Sequence, residues 1–272
     1  MKQRVITGAL LILLLVVLLW LPGWFMALTI LVAIGLCIWE EYHALSLAGH
    51  LPVTWPAWGV LVTSIPLTRA YGPQAMIPLM AVAMLLIVGI VLFRKEPSLI
   101  DLSLSALPIL TVILPGLCLV SLSLAEQKAV EVVLMSLTFS VPLMGDMMAL
   151  FVGSALGKRK LCPAVSPHKT VAGSVGGLAG SLLAAIVVYL ISLVTCNAAT
   201  LAKLPTFWQY MMLGVLGGIV GQLGDLFASL VKRYSGIKDF SNLFPGHGGM
   251  LDRIDSVLFM AVLMICFQQL TA

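Results

Sequence analysis

Apolar residues run along this chain in long blocks, broken at intervals by short clusters of proline, glycine and charge. A helix needs about 20 apolar residues to cross a bilayer. Blocks of that order predict nine spans, at roughly 5–21, 23–40, 53–69, 75–93, 103–124, 130–153, 171–194, 208–231 and 256–270. The first, second and last are short. The expected fold is an all-α polytopic integral membrane protein, a single transmembrane domain over 1–272. It divides into N-terminal helices, 1–125, and a half that carries the polar motifs, 130–272. The longest polar connections fall at about 155–170 and 232–255. Lys2 and Arg4 precede the first apolar run, as in a leader peptide. That run passes through Pro22-Gly23 into the next block without a small-residue cleavage site, so an uncleaved first helix is expected.

Composition agrees with the pattern. Of 272 residues, 61% are hydrophobic and only 10% charged, with mean hydropathy +1.11. Soluble domains carry about a quarter charged residues. The net charge of +4 follows topology and does not point to nucleic acid. With the N-terminus inside, nine spans place Lys2, Arg4, Arg94, Lys95, Lys158, Arg159, Lys160, Lys169, Lys232, Arg233, Lys238 and Arg253 in the cytoplasm. Only Arg69, Lys128 and Lys203 fall outside, a bias of twelve to three. Both polar connections are then cytoplasmic and the C-terminus is outside. The five cysteines, at 37, 118, 162, 196 and 266, form no C-x-x-C pair and read as unpaired apolar filler rather than zinc ligands.

Chemistry concentrates between Asp225 and Asp255. Four of the six Asp and four of the fifteen Lys and Arg lie there. Asp225, Ser229 and Lys232 are spaced i, i+4 and i+7, on one helix face. Asp225 at the end of an apolar span needs a cation: an ion pair with Lys232 or another base, or a metal. Asp252 and Asp255, one loop away, favour the metal, although acids at i and i+3 also suit a helix start for its dipole alone. Mg²⁺ takes a few carboxylates together with phosphate oxygens, and Asp225 with Asp252 would supply them. Asp255 is open between that role and orienting Arg253 or Lys232. The turn Pro245-Gly246-His247-Gly248-Gly249 ahead of a helix start is of the kind that cradles phosphate, or else an ordinary loop breaker. His247 reads as a phosphate contact or loop organiser.

Upstream, Ser166-Pro167-His168-Lys169-Thr170 offers a lysine and two hydroxyls at a helix start. These suit a triphosphate, and a basic residue there also satisfies the positive-inside rule. Lys158, Arg159 and Lys160 read as a cluster meeting anionic lipid headgroups. Asp146, within a span, is a functional candidate by default. Glu40, Glu41 and His43 are expected to form a solvated helix end. The glycines at 214, 217, 218, 221 and 224 form small-xxx-small patterns that let helices approach.

The run Ser-x2-Lys-Arg-x4-Lys-Asp-x-Ser-x2-Phe-Pro-x-His-Gly-Gly-x2-Asp-Arg-x-Asp, from Ser229 to Asp255, resembles the signature of the phosphatidate cytidylyltransferases, the CDP-diacylglycerol synthases. The stretch from Asp146 to Thr170 is similar to an upstream block of that family. The resemblance implies a Mg²⁺-dependent reaction of CTP with phosphatidic acid that yields CDP-diacylglycerol and pyrophosphate. Asp225 and Asp252, with Asp146 as a further candidate, would hold Mg²⁺, a second cation being left open. Lys169, Lys232, Arg233, Lys238 and Arg253 would neutralise phosphates, with Ser166, Thr170, Ser229, His247 and Gly248 beside the substrates. It also implies a homodimer in a bacterial-type inner membrane, in contact with membrane lipids. A CDP-alcohol phosphotransferase is disfavoured because its Asp-Gly-x2-Ala-Arg pattern is absent. A transporter is disfavoured because the polar groups are confined to one half of the chain.

Overall fold

The computed structural model describes residues 10, 13–21, 23–71, 73–125 and 127–271. Lys2 and Arg4 lie outside the described residues, as do residues 5–9, 11 and 12 of the expected first span, of which residues 13–20 are helical. The helices that follow are α1 (Gly23–Leu47), α2 (Trp55–Tyr71), α3 (Met76–Leu92), α4 (Leu99–Pro108), α5 (Leu114–Ser123), α6 (Lys128–Leu156), α7 (Val171–Thr195), α8 (Ala198–Leu201), α9 (Phe207–Tyr234) and α10 (Leu251–Thr271). A π-helical turn, Ile109–Ile113, joins α4 to α5, so the two run as one rod. It follows Pro108, which has no N–H to give to the helical ladder.

Among the described residues, six helices are long and apolar enough to cross a membrane: Gly23–Leu47, Leu99–Ser123, Lys128–Leu156, Val171–Thr195, Phe207–Tyr234 and Leu251–Thr271. This is a helical, multi-pass membrane protein. α2 and α3, each 17 residues, coincide with two more of the expected spans.

α6, α7, α9 and α10 form the central bundle, and α1 and α5 pack on α10. Glycine sets how close the bundle helices lie. A Cβ added to Gly180 of α7 would stand 2.6 Å from Met148 of α6, and one added to Gly217 of α9 would stand 2.6 Å from the Met260 sulfur of α10. The α9 glycines therefore serve packing, as their spacing suggests.

The connections gather at two ends. At one end Tyr234 hydroxyl meets His50 Nε2 at 2.6 Å, His50 and Arg94 flank Asp101, and Arg94 donates to the Leu51 carbonyl at 2.7 Å. That end also holds the 157–170 and 235–250 connections. At the other end Gly23, Ser123 and Glu131 come together.

Two expectations need correction. α1 continues to Leu47, past the expected end at 40, and Glu40 and Glu41 are each only 1% exposed, so they are not a solvated end. α10 begins at Leu251, five residues before the expected 256, so Asp252 and Asp255 lie inside its first turns. Within the all-α fold one small antiparallel hairpin joins α6 to α7, formed by β1 (Lys160–Cys162) and β2 (Ser166–Thr170), with Lys160 opposite Thr170 and Cys162 opposite Ser166. Side chains alternate along β2, which separates exposed His168 from half-buried Lys169. Thr170 then caps α7, its Oγ1 accepting the Gly173 N–H at 3.1 Å.

Candidate active site

A cavity of about 670 Å³ opens between α6, the hairpin, α7, α9 and the start of α10. Its walls carry five carboxylates, Asp146, Asp225, Asp239, Asp252 and Asp255, and four basic side chains, His168, Lys169, Lys232 and Arg253. The acids come from separate elements: Asp146 from α6, Asp225 from α9, Asp252 and Asp255 from α10, and Asp239 from the loop between them.

Two lysines bridge elements across the site. Lys169 of β2 pairs with Asp225 of α9. Lys232 of α9 pairs with Asp252 of α10 at 2.6 Å, with side chains 12% and 3% exposed. Lys232 Nζ also lies 5.4 Å from the centre of the Phe240 ring, where the ring face attracts a cation. The second oxygen of Asp252 accepts the N–H groups of Phe240 and Gly249, both at 2.9 Å. Every oxygen of that carboxylate is thus held by protein donors, and its orientation is fixed from three sides. Asp255 accepts the Ser256 N–H at 2.7 Å, and the Ser256 hydroxyl reaches toward both Asp255 and Asp146. Asp146, Asp225 and Asp255 form an acidic wall whose charges repel one another.

The structure brings together Asp146, Lys169, Thr170, Asp225, Lys232, Asp252, Arg253 and Asp255 on one cavity. Six other expected residues do not line it. Ser166 sits on the hairpin opposite Cys162. Ser229, one helical turn from Asp225, is buried in packing. Arg233 turns away to the carbonyls of Val165 and Ile237, at 3.3 and 3.4 Å. Lys238 is exposed just after the turn at Gly236. His247 is half buried, its N–H held by the Phe244 carbonyl at 2.8 Å and its ring Nδ1 without a hydrogen-bond partner among the described residues. Gly248 acts from behind: its φ is +81°, and a Cβ there would stand 2.7 Å from Asp252 Oδ2. The glycine-rich turn packs against the acid, and only glycine suits that position.

Several lining residues escaped the sequence. Gln222 and Ser174 pair across α9 and α7, the Gln222 amide donating to the Ser174 carbonyl at 3.1 Å. A lone glutamine one turn before Asp225 in an apolar helix was the available signal. Asp239 stood within the motif without an assigned role. Leu150 and Leu161 are exposed at the cavity edge and give it an apolar side. Outside the cavity, Glu40 of α1 accepts the N–H groups of Met250 and Leu251 at 2.9 and 2.7 Å.

Among the described residues, no group of three or more His, Cys, Asp and Glu is gathered tightly enough to hold a metal by itself. The oxygen-only donor set nevertheless suits a hard cation that completes its shell with phosphate oxygens and water. Asp225 is half-buried, its side chain 28% exposed and paired with Lys169 on the hairpin, while Asp146 and Asp239 are exposed.

Comparison with known proteins shows the family of the chain. The model of the family described as "Cytidylyltransferase family" matches residues 2–271. A phosphatidate cytidylyltransferase of Bacillus subtilis (strain 168) is 46% identical over 116 residues, 42% of this chain and 39% of that protein. One of Brucella abortus biovar 1 (strain 9-941) is 41% identical over 129 residues, 47% of this chain and 44% of that protein. Both alignments thus span less than half of the relative. A Staphylococcus saprophyticus protein of the same name is 31% identical over 210 residues, 76% of this chain and 75% of its own length.

Proposed function

The chain belongs to the cytidylyltransferase family, and from that premise we propose that it joins CTP to phosphatidic acid, forming CDP-diacylglycerol and releasing pyrophosphate. The observation that carries this reading is a cavity at the end of a membrane bundle that sets lysines and an arginine among carboxylates and has an apolar edge. A lipid phosphate and a nucleoside triphosphate both need positive charge, and acyl chains need the exposed Leu150 and Leu161.

In the reaction an oxygen of the lipid phosphate attacks the α-phosphorus of CTP. One P–O bond forms to that oxygen, the bond to the β-phosphate bridge breaks, and pyrophosphate leaves with the electron pair. Phosphoryl chemistry of this kind depends on positioning and charge neutralisation. Lys169 is paired with Asp225 across the cavity and would exchange that partner for a phosphate. Arg253 is exposed on the cavity wall and offers a planar fork for a phosphate. Lys232 holds Asp252 and stands beside the same space. Asp225 with Asp252, and Asp146 alongside, would hold Mg²⁺, which when bound offsets charge on the phosphate oxygens. Asp255, tied to Ser256, supports that wall. The six residues off the cavity, Ser166, Ser229, Arg233, Lys238, His247 and Gly248, would shape or flank it.

The same reading gives nine crossings, with the N-terminus, the hairpin and the 235–250 loop in the cytoplasm and the C-terminus outside. The meeting of His50, Arg94 and Tyr234 at one end supports it, because alternate crossings put all three on one side. A homodimer follows the family resemblance. The test is a radiolabelled CTP assay with phosphatidic acid in detergent, with and without EDTA. A CDP-lipid product that EDTA abolishes is expected; no product under saturating substrates and Mg²⁺ overturns the reading.

A further inference from the structure

Glu40 lies in α1, in the half of the chain without motifs, yet its side chain is spent on α10. Its Oε1 accepts the Met250 N–H at 2.9 Å and the Ser241 hydroxyl at 2.6 Å, and its Oε2 accepts the Leu251 N–H at 2.7 Å. It is 1% exposed. The first N–H groups of a helix have no partner within the helix. At the start of α10 three successive N–H groups, of Gly249, Met250 and Leu251, are therefore shared between two acids. Asp252 takes the first from inside the helix, and Glu40 takes the other two from outside. Gly249 gives independent support. A Cβ added there would stand 2.6 Å from the carboxyl carbon of Glu40, so the backbone is seated directly on that side chain. Ser241, the third partner, belongs to the loop that also supplies Phe240 N–H to Asp252.

From this geometry we infer that Glu40 is a positioning residue for the cavity. It clamps the first turn of α10 and the loop before it, and so fixes where Asp252 and Asp255 present their carboxylates. It does not line the cavity and touches no reactant. The α1 acid thereby makes the N-terminal helices part of the site's geometry. Partners that orient a ligating or catalytic group in this way commonly matter about 10–100-fold.

The inference rests on the cytidylyl-transfer reading for its kinetic arm only. Glu40→Gln keeps the size of the side chain and loses one of its two accepting oxygens. Hydrogen exchange on purified protein should show faster exchange of the amides at 249–251, with the rest of α10 unchanged. The kcat of Glu40→Gln should fall about 10–100-fold while KM for CTP moves less than about threefold, and half-saturation by Mg²⁺ should rise. A purely structural role would lower the yield of folded protein and leave kcat and Mg²⁺ half-saturation of the folded fraction at wild-type values; that result overturns the inference, as does unchanged exchange. Should Glu40→Gln not fold, Ser241→Ala and Gly249→Ala decide, one removing a partner of the clamp and the other pushing on it. Wild-type kinetics in both overturn it. A wild-type protein with no transfer activity refutes the cytidylyl-transfer reading, and the exchange measurement then judges the clamp alone.

Discussion

Two lysine–carboxylate sites lie at opposite ends of α6, and they differ in how they are built. At its start Lys128 pairs with Glu131 at 2.9 Å, i to i+3 on a single helix, beside a cavity of about 460 Å³ lined by Trp20, Gly23, Trp24 and Ser123. Toward its other end, about 22 Å along at 1.5 Å per residue, Asp146 faces Lys169, Asp225, Lys232, Asp252 and Asp255. The first pair forms as soon as its helix forms and needs no other element. The second needs a hairpin, three helices and a loop to converge. Carboxylates drawn from distant elements repel one another and are costly to hold at a membrane boundary. Their convergence is what the proposed reaction would require of its site, whereas the isolated pair suits a structural role.

The largest effect expected from that contrast is at Asp225. Asp225→Asn keeps shape and removes a charge, and it should lower turnover by about a hundredfold or more while folded protein remains in the membrane. Asp252→Asn should do the same, with some loss of stability as well, because it leaves half-buried Lys232 facing an amide. Purified variants assayed with CTP and phosphatidic acid at matched amounts decide both. Near-wild-type turnover in either would remove that residue from the centre.

A smaller, graded effect should separate Lys232 from Arg233. Neighbours on a helix diverge by about 100°, and here Lys232 enters the cavity while Arg233 binds the Val165 carbonyl on the hairpin. Lys232→Ala should lower the maximal rate about tenfold or more. Arg233→Lys loses the fork, and should chiefly weaken apparent affinity for phosphatidic acid, by a few-fold. Varying CTP and lipid separately distinguishes the two; equal, parallel losses would make them one undifferentiated basic patch.

Much of this was legible in the residues because bilayer chemistry is local. Apolar length marked α1 to α7, α9 and α10, and the Asp225–Asp255 run marked two of the walls. What could not be read was long-range pairing. Asp225 is close in sequence to Lys232, yet it takes Lys169, and Lys232 takes Asp252, because the hairpin folds back over the end of α9. Glu40 and Glu41 looked like a wet helix end since nothing nearby in sequence could satisfy them. Their partners are Met250, Leu251 and Ser241 for one and Thr111 for the other, all far along the chain. Short strands such as β1 carry too little pattern to stand out between apolar helices.

The smallest expected effect is at the structural end. Glu131→Gln should leave turnover within about twofold of wild type, since an exposed partner makes such pairs worth little, and Lys128 is 39% exposed. A large loss of turnover would break the contrast between the two ends. The contrast also has a sidedness. α10 starts in the cavity at Leu251 and ends at Thr271, about 30 Å on at helical rise, the thickness of a bilayer's hydrocarbon core. The C-terminus should therefore lie with Lys128 and Glu131, across the membrane from Lys169. A reporter that fluoresces only in the cytoplasm should be silent when fused after residue 272 and bright when inserted in the hairpin turn at Ala164. Fluorescence from the C-terminal fusion would mean either one crossing fewer or the reverse orientation, and CTP would then have to reach the cavity from the other side.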